Sequence, residues 1–167
     1  GGGSSDAAAT LIALNQLWNL RLKSKDLHHL ASSLGADVPY LLYGGTTLGE
    51  GIGNDLRKLK PLKDKWLVFS CPGTSIENKT HYLYSAINPQ MFSNGDNTRR
   101  LVTSIEKNRL DHNLMTNSFE HIAFDIFTGL DIVKDDMIQC GAYDIHLSGT
   151  GPGLFTFVQG KEQGIKL

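Results

Sequence analysis

The chain has 167 residues, enough for one ordinary domain or two small ones. Its 40 % hydrophobic and 20 % charged residues can bury a core, which excludes wholesale disorder. Sixteen Lys and Arg against seventeen Asp and Glu leave a net charge of −1, which speaks against gripping nucleic acid or an anionic membrane by bulk charge. An anion site built from backbone N–H groups stays open, because it needs no formal charge. Cys71 and Cys140 are too few for a disulfide-dense scaffold or a four-cysteine zinc site, and read as reduced, mostly buried thiols. The apolar runs are short and no signal-type segment opens the chain, so a soluble, cytoplasmic protein is expected.

The chain opens Gly1-Gly2-Gly3-Ser4-Ser5. By themselves these residues read equally as an expression linker or as the end of a phosphate loop. Asp6 then leads into a helix whose Ala7, Leu11, Leu14 and Trp18 step by four, three and four along one face, with Ser4, Ser5 or Asp6 as its cap. A glycine loop over a helix N-terminus is an anion cradle: the backbone can approach phosphate closely, free N–H groups point at it, and the helix dipole attracts it. No Gly-Lys-Ser/Thr follows and no strand precedes a Gly-x-Gly-x-x-Gly, so neither common nucleotide fingerprint is present.

A second helix is expected over Ser24–Leu34, capped by Ser24 and ended by Gly35. His28 and His29 on it lie about 100° apart and do not share a face, so they read as surface residues rather than a metal pair. In Leu34-Gly35-Ala36-Asp37-Val38-Pro39 the proline restrains Val38 to extended backbone, which predicts a stiff loop. Asp37 reads as a turn residue or as a carboxylate presented on that loop; local sequence does not decide between the two. Tyr40–Tyr43 and Thr46–Leu48 read as strands, and the alternating Gly49, Gly51 and Gly53 as a strand edge or bulge. The Lys-rich stretch from Lys58 to Lys65 reads as a solvated linker, and a domain boundary is placed there, giving regions 1–61 and 62–167. Beyond it a buried strand is expected at Trp66–Ser70 and a turn at Cys71-Pro72-Gly73. Helices are expected at Lys79–Ile87, Thr98–Lys107, Leu114–Phe127 and Val133–Cys140. Strands at Tyr143–Leu147 and Leu154–Val158 then flank Ser148-Gly149-Thr150-Gly151-Pro152-Gly153, making the second region α+β.

Three separated motifs, Gly-Gly-Gly-Ser-Ser-Asp-Ala-Ala, Leu-Gly-Ala-Asp-Val-Pro and Leu-Ser-Gly-Thr-Gly-Pro, occur in an order that resembles the GHMP kinase superfamily. The resemblance runs over nearly the whole chain. It implies an α+β fold of two lobes, the first part of a ribosomal protein S5 domain 2-like domain and the second ferredoxin-like, with the active site in the cleft between them. Within the superfamily it points to the branch that uses ATP and Mg²⁺ to phosphorylate the 2-hydroxyl of 4-diphosphocytidyl-2-C-methyl-D-erythritol in non-mevalonate isoprenoid synthesis. Another small-molecule kinase of the homoserine or mevalonate type, or a non-catalytic nucleotide-binding remnant, stands as the alternative.

The resemblance also assigns roles. Gly1, Gly2, Gly3, Ser4 and Ser5 match the end of the loop around the ATP phosphates, and Asp37 matches the catalytic Asp. Ser148, Gly149, Thr150 and Gly151 match the third motif beside phosphate and substrate. Asn78 and Tyr82 fall on the substrate side near the cytosine, although Tyr82 reads equally as an aromatic on a helix face. The metal's protein ligand and the oligomeric state are left open. Asn54 and Ser118, the latter in Asn117-Ser118-Phe119-Glu120, depart from the family pattern. Members carry further segments on both sides, including a Lys that partners the Asp, so the resemblance implies an internal fragment that is inactive alone.

Overall fold

The computed structural model describes residues 2–73 and 76–167; the Gly1 expectation lies outside them. The chain divides into two compact units, residues 1–61 and 62–167.

In the first unit, α1 (Gly2–Leu17), α2 (Ser24–Leu34) and α3 (Val38–Tyr43) pack together and are followed by a hairpin of β1 (Thr47–Glu50) and β2 (Asp55–Lys58). Its small core is Ala8, Ala31 and Val38, joined by Ala7, Leu11, Leu41 and Leu42. The alanines of α1 therefore serve close approach: a methyl group at each contact lets α3 and α2 come near. The expected apolar stripe stops short, because α1 ends at Leu17 and Trp18 lies beyond it, exposed. α2 has the expected bounds, but its cap is Lys23 rather than Ser24: the Asp26 carboxylate accepts from the Lys23 backbone N–H at 3.1 Å, closing the first turn.

Residues 38–43 are helical, not a loop followed by a strand. Pro39 sits at the start of α3, where its missing N–H is no loss and its fixed φ suits the helix. Burial of Val38 against Ala8 and Ala31 then outweighs the extended preference of a residue before proline. Gly44 ends the helix, its N–H donating to Tyr40 O at 2.8 Å. Of the alternating glycines, Gly49 lies in β1 and Gly51 and Gly53 form the hairpin turn: β1 and β2 pair antiparallel from Thr47↔Lys58 to Glu50↔Asp55.

The second unit is built on a three-stranded antiparallel sheet in the order β3-β5-β4, from β3 (Trp66–Ser70), β4 (His146–Leu147) and β5 (Leu154–Val158). The helices are α4 (Lys79–Ala86), α5 (Asp96–Glu106), α6 (Glu120–Ile126), α7 (Leu130–Gln139) and α8 (Lys161–Lys166). Leu83, Phe127, Leu130 and Leu154 are sealed in the core, each contributing about 1.5–3 kcal/mol by burial. β3 is not the buried strand expected: it pairs only with β5, and Trp66, Leu67 and Phe69 are exposed. The expected helix at 114–127 is broken. Asn117 Oδ1 accepts from Phe119 N at 2.9 Å, a local turn that competes with the helix and delays it to Glu120. Cys71 and Cys140 are free and, against expectation, exposed. No helix among the described residues is long and apolar enough to cross a membrane.

Candidate functional site

In the first unit Gly2, Gly3, Ser4 and Ser5 are the first turn of α1, not a loop preceding it. Ser5 Oγ donates to Gly2 O at 2.7 Å, and the leading N–H groups of a helix have no intrahelical partner. The segment expected to bind an anion is thus the start of a sixteen-residue helix, a setting that favours negative charge.

Asp37 occupies the N-cap position of α3, immediately before Val38, which shares its core with Ala8 near the start of α1. An aspartate there normally takes a cap bond from the first-turn amides. Asp37 does not: its backbone is in the right-handed helical region (φ −84°, ψ −17°), it makes no side-chain cap bond, and it is exposed. The carboxylate is unspent. It stands over a groove of about 410 Å³ whose other walls are Tyr40, Leu41, Thr47, Gly49, Gly53 and Leu56. Asp37, Tyr40 and Leu41 follow the i, i+3, i+4 spacing of one helix face. Thr47, Gly49 and its cross-strand partner Leu56 share one face of the hairpin. The stiff loop expected around Asp37 is instead the start of α3, and the sequence does not show this groove.

In the second unit Ser148–Gly151 is the turn between β4 and β5. Ser148 N donates to Gly153 O and Gly151 N to Ser148 O, both at 2.8 Å. Three side chains from distant segments pin it. Asn117 Nδ2 donates to Leu147 O at 3.0 Å and to Gly149 O at 2.7 Å. Glu120 Oε1 accepts from Leu147 N at 3.0 Å, and Lys79 Nζ donates to Gly151 O. The Asn-x-x-Glu spacing around Ser118 is thus a clamp on the glycine turn, and Ser118, the position that departs from the family pattern, is not part of it. Truncating Asn117 to Ala is expected to cost about 1–2 kcal/mol, since carbonyls lose their donor; urea unfolding of the two proteins checks this.

Asn78 caps the start of α4 with φ 51°, and Tyr82 N donates to Asn78 O at 3.1 Å. Both side chains are exposed and neither phenol nor carboxamide is bonded among the described residues. Lys79, between them, ties this helix start to the glycine turn, so three of the expected residues are neighbours through a lysine the sequence did not single out. A cavity of about 470 Å³ beside the turn is lined by Asn117, Glu120, His146, Ser148, Gly149 and Phe155, among others. A wider groove of about 500 Å³ along α5, with Arg99, Arg100, Lys107 and Arg109, holds none of the expected residues.

His146 has a buried, unpartnered Nε2. Burial holds its pKa below the usual 6.5, opposed by Glu120 and Asp144, while His112 adds to the lowering. Because the folded imidazole takes a proton less readily than the unfolded one, the unfolded state binds more protons as pH drops through 6.5. Stability is therefore expected to fall from pH 8 to pH 6, and the slope to flatten in His146→Gln; denaturant unfolding at several pH values measures it.

Among the described residues no group of three or more His, Cys, Asp or Glu side chains could hold a metal ion. His28 instead stacks on Tyr43 with ring centroids 6.2 Å apart. A divalent ion such as Mg²⁺ needs no such cage, because it keeps several waters and sits on substrate phosphates with only one or two protein oxygens.

Residues 1–45 match the family described as GHMP kinases N terminal domain. The chain is 36 % identical over 168 residues to the 4-diphosphocytidyl-2-C-methyl-D-erythritol kinase of Dehalococcoides mccartyi (strain CBDB1), covering 100 % of this chain and 59 % of that one. It is 38 % identical over 158 residues to the enzyme of the same name from Clostridium botulinum (strain Eklund 17B / Type B), covering 93 % and 56 %. A crystal structure of 4-(cytidine 5'-diphospho)-2C-methyl-D-erythritol kinase superposes with a TM-score of 0.76 at 30 % identity, over 98 % of this chain and 58 % of that one. Homoserine kinase from Cytophaga hutchinsonii superposes at 0.74 over 95 % and 56 %; at 24 % identity it speaks to the fold alone. The GHMP kinase fold expected from the three motifs is the fold found. The chain spans 56–59 % of the length of the relatives it matches.

Proposed function

We propose that this chain, whose residues 1–45 match the GHMP kinase N-terminal domain family and whose fold is that of GHMP kinases, is part of a kinase that phosphorylates the 2-hydroxyl of 4-diphosphocytidyl-2-C-methyl-D-erythritol. ATP is the phosphoryl donor, and the reaction belongs to non-mevalonate isoprenoid synthesis in the cytoplasm. The observation that carries the chemistry is the unspent Asp37 carboxylate above its groove. The choice of acceptor rests on the names of relatives 36–38 % identical to this chain.

Phosphoryl transfer asks little covalent chemistry of a protein; positioning and charge neutralisation dominate. In this reading the substrate 2-hydroxyl oxygen attacks the γ-phosphorus, the bond to the β-phosphate oxygen breaks, and ADP departs. Asp37 orients the hydroxyl and takes its proton, a role open to it because its carboxylate is not used as the cap of α3. Gly1, Gly2, Gly3, Ser4 and Ser5 offer backbone amides to the ATP phosphates, and bound Mg²⁺ would supply further neutralisation of the transferring group. The Ser148–Gly151 turn presents Ser148, Gly149, Thr150 and Gly151 to phosphate or substrate, held in shape by Asn117, Glu120 and Lys79. Asn78 and Tyr82 serve the cytosine end, an unbonded amide for hydrogen bonding and an exposed ring for stacking. Residues 1–61 act as part of the ATP-binding domain and 62–167 as part of the C-terminal domain.

The test is ADP formation by the protein carrying this chain, with the cytidylated polyol, L-homoserine and mevalonate as separate acceptors. Turnover with the first alone is expected; turnover with homoserine or mevalonate instead would reassign the enzyme.

A further inference from the structure

The Asp37 groove holds a second polar group without a partner. Thr47 Oγ1 is shielded from solvent and makes no hydrogen bond among the described residues, although Thr47 lines the same groove. A shielded hydroxyl with no partner is unfavourable, and its persistence asks for an explanation. The neighbours do not provide one. Tyr40 already gives its hydroxyl to Gly45 O at 3.0 Å. Leu41 and Leu56 are apolar. Gly49 and Gly53 leave the floor bare, with Gly53 O 3.4 Å from where a Cβ of Gly49 would sit. Thr47 lines the groove, and a χ1 rotation of its β-branched side chain would exchange methyl and hydroxyl and so change which of them the groove meets.

We infer that Thr47 is a substrate-binding residue: its hydroxyl takes a second hydroxyl of the acceptor while Asp37 takes the reacting one. The groove then recognises a polyol with neighbouring hydroxyl groups. Leu41 and Leu56 cover its carbon face, and the bare glycine floor leaves room for the chain. A monohydroxy acceptor would leave Thr47 unpaired and bind less well, so the residue favours polyols over simple alcohols. This inference rests on the phosphoryl-transfer reading of Asp37 and adds to it a contact that the reading does not need.

The experiment has two arms. In steady-state kinetics on the protein carrying this chain, Thr47→Val is expected to raise the KM for 4-diphosphocytidyl-2-C-methyl-D-erythritol about tenfold, the worth of one hydrogen bond. The KM for ATP stays unchanged, Thr47→Ser restores wild-type behaviour, and the Tm of Thr47→Val is not lowered, because no native bond is lost. Unchanged acceptor KM in Thr47→Val, or both KM values rising together with a lowered Tm, overturns the inference. The second arm is independent of turnover: saturation-transfer NMR with 2-C-methyl-D-erythritol as the probe. Transfer to the probe in wild type that is lost in Thr47→Val supports the assignment; no transfer in wild type, or equal transfer in both, overturns it. If the wild-type protein makes no ADP while the probe still binds through Thr47, the phosphoryl-transfer reading fails and the Thr47 contact stands.

Discussion

Asp37→Asn is expected to lower kcat by a factor on the order of 10²–10⁴ while leaving the folding free energy within about 0.5 kcal/mol of wild type. The two halves of this expectation come from one observation. A capping aspartate contributes about 0.5–2 kcal/mol to its helix, and replacing it would confound lost chemistry with lost structure. Asp37 stands at the cap position without making the cap bond and is exposed, so its replacement by an isosteric amide removes no hydrogen bond. The amide keeps the shape and cannot take a proton. ATP affinity should persist, because the α1 amides proposed to hold its phosphates are untouched. Stopped turnover in a protein that unfolds at the wild-type urea midpoint is the expected pair of measurements. Normal turnover, or a large loss of stability, would each remove Asp37 from the role given to it.

Gly151→Ala is expected to destabilise the protein by about 2–5 kcal/mol. Two terms add. Gly151 has φ +79°, where a Cβ costs about 1–2 kcal/mol. The added methyl would also lie 2.9 Å from Leu147 Cδ1 and 3.2 Å from Phe127 Cε2. Both are core residues, 3 % and 0 % exposed, so neither can step aside, and overpacking a sealed core adds about 1–3 kcal/mol. Gly153 makes the contrast. Its Cβ would sit only 2.3 Å from Phe69 Cζ, but Phe69 is 55 % exposed and its ring can swing outward. Gly153→Ala should therefore cost less than Gly151→Ala although its static clash is worse. Calorimetric Tm values for the two variants decide the order, and the reverse order would contradict this account of the turn.

What was legible in the sequence follows the range of the forces involved. α2, β3 and β5 have their expected bounds, since helical spacing, a terminating glycine and short apolar runs act locally. The segment Val-Pro-Tyr-Leu-Leu-Tyr was misread because its composition suits a strand, while contacts of Val38 with Ala8 and Ala31 thirty and seven residues away make it a helix. The break before α6 needs Asn117, whose carboxamide is held by carbonyls about thirty residues on, at Leu147 and Gly149. Asp37 could be picked out by its motif, but not the fact that its carboxylate is unspent, which depends on the backbone angles of one residue. Lys79 and Thr47 carry no local signal: one is a lysine starting a helix, the other a threonine in a strand. Only the glycine turn and the groove give them meaning.

The oxygen that receives the phosphate is read out by ³¹P NMR of the product made from ATP and 4-diphosphocytidyl-2-C-methyl-D-erythritol. Carbon 2 of the acceptor bears a methyl group and no hydrogen, so a phosphate on its oxygen shows no three-bond coupling to a carbinol proton. The account predicts a new phosphomonoester resonance that stays a singlet without proton decoupling, absent when Asp37→Asn replaces the wild type. A doublet or triplet, from phosphate on a secondary or primary hydroxyl, or no new phosphomonoester at all, would contradict it.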